Sequence, residues 1–195
     1  MRLFVAVEVS ADVQRAVARV IDELKDRVER TAPRARVSWV RPERVHVTVR
    51  FIGEADEALA RGILAVLERP LSTSCFDLTV EGVGSFPPGR PPRVLWAGLT
   101  TGMEHLRAVE QEVRSRLDSL AVATDDRGYH PHLTLARVKH AARIRPETLL
   151  RGLKETLFGT VRVEAVTLFE SPLSSKEPTY IARGRTMLRH AQPRS

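Results

Sequence analysis

Two tetrapeptides, His46-Val47-Thr48-Val49 and His132-Leu133-Thr134-Leu135, constrain this chain more than any other feature. In each, a His and a Thr stand two apart with aliphatic residues at the alternate positions, which is the period of a strand whose two faces differ. His46 and Thr48 then share a face, as do His132 and Thr134, while Val47, Val49, Leu133 and Leu135 point the other way into apolar packing. Each tetrapeptide is a small polar device on a strand, and two of them suggest a cleft in which two imidazoles and two hydroxyls face a common ligand.

Phosphorus chemistry suits that inventory. One neutral His can take a proton from an attacking water while a second, protonated, His gives one to the leaving oxygen, because imidazole titrates near neutral pH. Two Thr hydroxyls can hold the phosphoryl oxygens as charge builds on them. A single His-x-Thr would say little, since such pairs arise by chance. The weight comes from two copies in matching surroundings.

Those surroundings repeat. Residues 2 to 9 read as a strand, and from Asp12 to Arg30 the residues Val13, Val17, Val20, Ile21, Leu24 and Val28 make one apolar stripe on a long helix that Ser10 can cap. A short strand at Val37 to Val40 leads to the first motif strand at about residues 45 to 52. A helix carrying Leu59, Ile63, Val66 and Leu67 and a strand near 75 to 85 follow. The proline-rich stretch Phe86-Pro87-Pro88-Gly89-Arg90-Pro91-Pro92 is the natural joint between halves. After it come a strand at Val94 to Leu99, a helix from about Met103 to Leu120, the second motif strand, a helix after Pro146 with Leu149, Leu150, Leu153 and Leu157, and strands near 160 to 170 and 178 to 186. The order strand, helix, motif strand, helix, strand thus occurs twice. It argues for an internal duplication in one domain, with halves at about 1–86 and 93–188 and a loose tail at 189–195.

The 195 residues carry 31 Lys and Arg, most of them arginine, against 24 Asp and Glu, a formal charge of +7 that fits a polyanionic partner such as RNA. Cys75 is the only cysteine, so no intramolecular disulfide can form. The apolar run at the N-terminus is too short for a signal-peptide core or a membrane span. The expectation is a cytoplasmic protein, a monomer, with no membrane partner.

The two motifs resemble the tandem His-x-Thr-x signatures of the two-histidine phosphoesterases. More closely, the chain is similar to the RNA 2',3'-cyclic phosphodiesterases, also called 2'-5' RNA ligases. The likeness runs through Met1-Arg2-Leu3-Phe4-Val5-Ala6, Trp39-Val40-Arg41-Pro42-Glu43, Phe51-Ile52-Gly53-Glu54, Leu95-Trp96-Ala97-Gly98, Pro131-His132-Leu133-Thr134-Leu135-Ala136-Arg137 and Leu168-Phe169-Glu170-Ser171. The resemblance implies an α+β, bilobal fold, with two pseudo-symmetric antiparallel-sheet lobes and outer helices around a central groove. It implies cofactor-free, metal-independent opening of a terminal cyclic phosphate to a 2'-phosphomonoester. By the family's roles His46 donates a proton to the departing 3'-oxygen, His132 accepts one from water, and Thr48 and Thr134 bind the phosphate.

Arg137, which closes the second motif, is a candidate third phosphate ligand, since a guanidinium can make paired hydrogen bonds to phosphate oxygens. Its alternative is a surface arginine at a strand end. Phe51 is a candidate for stacking on a base, or a core aromatic. Tyr180 stands where the family tends to place a tyrosine and either reaches the groove or packs, and Ser174-Ser175-Lys176-Glu177-Pro178 before it lacks the glycine expected there. His130 with His132 and His46 offers three imidazoles for a metal, but neither motif carries an Asp or Glu to complete such a site. His105, His140 and His190 read as surface. Two other functions stay open: reversible 2'-5' RNA ligation with the same residues, and a non-catalytic nucleotide or RNA-binding module.

Overall fold

The computed structural model describes residues 1–88, 90–120, 122, 128–172 and 180–190. β1 (Arg2–Glu8) leads into α1 (Ala11–Thr31), β2 (Arg36–Trp39), a 3-10 turn (Pro42–Arg44), β3 (His46–Glu54), α2 (Glu57–Leu67), β4 (Leu71–Ser74) and β5 (Phe76–Phe86). After these come β6 (Val94–Leu99), α3 (Met103–Asp118), β7 (Leu133–His140), α4 (Pro146–Leu149), β8 (Leu157–Val163), β9 (Ala165–Ser171) and β10 (Ile181–Arg189). None of the helices among the described residues is long and apolar enough to cross a membrane.

α1 forms where the 3.6-residue stripe predicts it. The Ser10 side chain accepts from the Val13 amide at its N-terminus, and Val13, Val17, Val20, Ile21, Leu24 and Val28 are buried beneath it. The strands lie in the order β4-β10-β9-β1-β3-β7-β6-β5-β8, with β2 on β7, and β10 with β4 is a parallel pair beside antiparallel neighbours. This is the α+β class expected from the resemblance.

At the centre, β3 and β7 meet through one antiparallel pair, Val47 opposite Leu133. Both side chains are fully buried, as is Leu135, and each such burial stabilises the fold by about 1.5–3 kcal/mol. A slip of one residue in either strand would exchange these aliphatics for the His-Thr face, so the apolar positions specify the register.

The arms on either side of this seam do not follow the sequence halves. β9 and β10, from the end of the chain, extend the β1–β3 arm, while β5, from before the proline-rich stretch, joins β6. The stretch expected as the joint between halves closes the β5–β6 hairpin, with Phe86 opposite Val94. Each arm is completed by strands from the other half.

Four further differences are local. The helix expected after Pro146 is a single turn that ends at Leu149, and Gly152, three residues further on, takes up a left-handed φ of +77° that a continuing helix could not hold. Leu149, at the end of that turn, and Leu150 and Leu153 after it are buried, whereas Leu157 is 64% exposed and begins β8. The strand expected over 160 to 170 is two strands that part at Glu164, and β4 was not expected. Arg189 belongs to β10 rather than to a tail; residues 191–195, and the segment 174–178, lie outside the described residues.

Candidate active site

The seam at Val47 and Leu133 decides what faces what. In an antiparallel pair the flanking positions oppose crosswise, so His46 comes across from Thr134 and Thr48 across from His132, all four on the face away from the core. All four are half-buried.

Strict alternation beyond the motifs would turn Phe51 and Arg137 to the wrong side, and in both strands a bulge prevents it. In β3, Thr48 pairs with Ala6 but Arg50 pairs with Val5, which leaves Val49 as the extra residue. Phe51, opposite Phe4, thereby returns to the His46–Thr48 face, and it is 56% exposed. In β7, Thr134 pairs with Trp96 and Ala136 with Leu95, so Leu135 is the extra residue and Arg137, opposite Val94, joins the His132–Thr134 face. The two strands are alike in this: His, Thr two further on, and a third side chain three beyond the Thr.

Each imidazole is held by its own strand. His46 Nδ1 donates to the Arg44 carbonyl at 2.8 Å, at the end of the 3-10 turn, and His132 Nδ1 donates to the His130 carbonyl at 2.7 Å. A carbonyl can only accept, so both rings carry the proton on Nδ1 and leave Nε2 free. Burial lowers the pKa of both rings below the usual histidine range, against the raising effect of those carbonyls, and the Arg137 cation lowers both further. His132 adds to the lowering at His46. Arg137 is thus electrostatically part of the site.

Aromatic rings fix the imidazoles from behind. The His46 ring stacks on Phe4 with centroids 4.9 Å apart and meets Tyr180 edge-on at 5.3 Å, while Phe169 stacks on Phe4 at 5.4 Å. Tyr180 is half-buried against His46, and burial raises its phenol pKa. On the other side Phe86 meets His132 edge-on at 5.3 Å and packs on Trp96 at 5.1 Å. The aromatics of a chain with only 5% of them are concentrated here.

A groove of about 420 Å³ opens beside Thr48 and His132, lined also by Phe51, Arg114, Tyr129 and His130. The Tyr129 hydroxyl donates to the Thr48 carbonyl at 3.1 Å, and under it Arg50 pairs with Glu110 at 3.3 Å. A smaller cavity of about 230 Å³ lies beside His46, between Glu8, Glu43, Phe169 and Tyr180. His130 is exposed on the rim, and among the described residues no three His, Cys, Asp or Glu side chains gather as a metal site would require. His105, His140 and His190 are exposed, as expected.

Sequence reasoning singled out the two histidines, the two threonines, Arg137, Phe51 and Tyr180, and the structure gathers them around one face. It did not reach Phe4, Phe86, Trp96, Phe169 and Tyr129, although the scarcity of aromatics was a usable signal. Nor did it reach the Arg50–Glu110 pair, which no local pattern marks.

Comparison with known proteins places these features in a family. Residues 5–172 match the family model described as the 2'-5' RNA ligase superfamily. The protein named RNA 2',3'-cyclic phosphodiesterase of Archaeoglobus fulgidus is 34% identical over 186 residues, 92% of this chain and 96% of its own. That of Aeropyrum pernix is 35% identical over 142 residues, covering 72% and 80%. The crystal structure of TT0787 of Thermus thermophilus is similar with a TM-score of 0.78 at 27% identity, covering 98% of this chain and 100% of that one. E. coli LigT complexed with 3'-AMP shares the fold, with a TM-score of 0.70 at 22% identity over 96% and 97% of the two chains.

Proposed function

The chain belongs to the 2'-5' RNA ligase superfamily, and on that premise we propose that it hydrolyses RNA 2',3'-cyclic phosphate ends to 2'-phosphomonoesters, as a cytoplasmic monomer of one bilobal domain. The observation that carries the reading is the pair of imidazoles, each with Nδ1 tied to a backbone carbonyl and Nε2 free, on one open face with both threonines. The names of the relatives from Archaeoglobus fulgidus and Aeropyrum pernix support the substrate class.

In the reaction, His132 Nε2 takes a proton from water as its oxygen bonds to phosphorus, and the bond from phosphorus to the 3'-oxygen breaks. His46, protonated on Nε2, gives its proton to that oxygen. The product is a free 3'-hydroxyl and a 2'-phosphate, with no covalent enzyme intermediate and no metal. Thr48, Thr134 and the Arg137 guanidinium bind the non-bridging oxygens, where negative charge grows in the transition state. Phe51 offers its exposed face to a base, and Tyr180 holds the His46 ring against Phe4. The lowered pKa values suit His132 as a base directly. His46 gains its proton when the anionic phosphate binds, because a nearby negative charge raises an imidazole pKa.

The test is the product formed in EDTA from a short RNA ending in a 2',3'-cyclic phosphate. A 2'-phosphate supports the reading. A 3'-phosphate would reverse the roles of the two oxygens, turnover only after addition of metal would refute metal independence, and binding without turnover would make the chain a binding module. An RNA with a 5'-hydroxyl, added in excess, measures 2'-5' joining by the same residues.

A further inference from the structure

We propose that the far end of β7 carries a second anion site, which grips the phosphate backbone of a longer RNA well away from the reacting end; this rests on the phosphodiesterase reading above. Two adjoining cavities lie there. One, of about 500 Å³, is lined by residues that include Arg34, His140, Ala142 and Arg143; the other, of about 220 Å³, by Thr31, Arg143, Arg145 and Thr148. Arg143 lines both, and no carboxylate lines either.

Among the described residues, these arginines lack the carboxylate partners that several others of the chain have. Arg27, Arg50, Arg116 and Arg183 each pair with a carboxylate, within the elements or across them. Arg34, Arg143 and Arg145 are exposed, and no side-chain hydrogen bond or ion pair is seen for them among the described residues. Three like charges brought to one place without counter-charge repel one another, and an anion is what relieves them.

The backbone at the site is held in an uncommon form. Ala142 and Arg143 have φ of 36° and 70°, successive left-handed residues that are not glycine. Such residues cost on the order of 1–3 kcal/mol each and persist where the surroundings impose them, often at binding sites. Ile144, buried, donates its amide to the Ala141 carbonyl at 2.7 Å and anchors the turn.

The site is joined to the reacting end by β7 itself. At ~3.4 Å per residue, Leu133 to His140 spans about 24 Å. Exposed Arg137 and Lys139 on β7, and Arg36 of β2 opposite His140, mark the way. At ~3.4 Å per nucleotide, a stacked RNA strand covers that distance in about seven nucleotides, well beyond the reach of a dinucleotide.

The experiment compares wild type with the variant R34E/R143E/R145E in the full chain. Hydrolysis is followed on a dinucleotide and on a 20-nucleotide RNA, both ending in a 2',3'-cyclic phosphate, and binding by fluorescence anisotropy on a 20-nucleotide RNA with a plain 3'-hydroxyl. The expected result is an unchanged dinucleotide rate and weaker binding of the long RNA, by up to about 50-fold at 0.15 M salt, with the slope of log affinity against log salt smaller by about 2, the value for three single-strand phosphates. Long-RNA affinity and slope equal to wild type, or an equal loss on the dinucleotide, would overturn the proposal. If the triple variant does not fold, Arg34→Gln and Arg145→Gln singly decide it, each expected to reduce the slope by about 0.7. Because the anisotropy needs no turnover, a wild type that hydrolyses neither substrate would refute the phosphodiesterase reading while leaving the anion site to be judged by binding.

Discussion

Replacing Gly84 by Ala perturbs the proposed active site through a chain of three rings. Gly84 lies opposite Trp96 across the β5–β6 pair, and a Cβ built there would come within 2.7 Å of Trp96 Cε2 and closer still to Cζ2 and Cη2. The indole is a rigid plate packed on Phe86, which in turn meets His132 edge-on, so the ring moves as a whole. Overpacking of this kind costs about 1–3 kcal/mol, which for a domain of this size lowers Tm by about 2–12 °C. A shift near 1 Å carried to a catalytic group costs about 100-fold in turnover. Thermal unfolding and turnover of a cyclic-phosphate RNA measure the two effects together. Trp96→Phe in the same chain removes the overlapping ring at small cost, since the Trp96 Nε1 is buried with no hydrogen-bond partner, and G84A/W96F is expected to recover both Tm and turnover. Wild-type Tm and turnover in G84A, or no recovery in the double variant, would refute the reasoning.

Glu110→Ala leaves Arg50 buried without its counter-charge, an expected loss of about 3–5 kcal/mol read as a Tm lower by about 6–20 °C, whereas R50M/E110L stays near wild type. The His46 and His132 imidazoles both have lower pKa values in the folded protein than in the unfolded chain. The unfolded chain therefore takes up protons first as the pH falls below about 6.5, and stability declines from there downward while staying flat above it. Denaturant midpoints across pH 5 to 8 check this, with a smaller decline expected in H46Q/H132Q. Arg137→Gln removes a cation that lowers both imidazoles, so both limbs of the kcat/KM profile are expected to move to higher pH, together with weaker substrate binding.

The sequence made the central strands legible because their two faces differ so sharply. His46, Thr48, His132 and Thr134 could be placed on polar faces, and Val47 and Leu133 in the core, from a period of two alone. The placement of Phe51 and Arg137 was harder, because it depends on bulges at Val49 and Leu135 that only pairing with β1 and β6 reveals. α1 was legible from its stripe and Ser10. The short α4 was not, since Leu149, Leu150, Leu153 and Leu157 suit a helix, whereas the helix stops at Leu149 and the left-handed Gly152 keeps it from resuming. The exchange of β5 and β9 between arms has no local signature, because strand neighbours are chosen by long-range burial that a duplicated element order does not specify.

The acid and base roles of the two histidines are tested most directly by the pH dependence of turnover, in EDTA, of an RNA ending in a 2',3'-cyclic phosphate by wild type, His46→Ala and His132→Ala. The account predicts a bell-shaped wild-type profile and a loss of at least ~100-fold in each variant. His132→Ala should lack the acidic limb, which reports the base, and His46→Ala the alkaline limb, which reports the acid. A variant that turns over near the wild-type rate, or one that keeps both limbs, would contradict it.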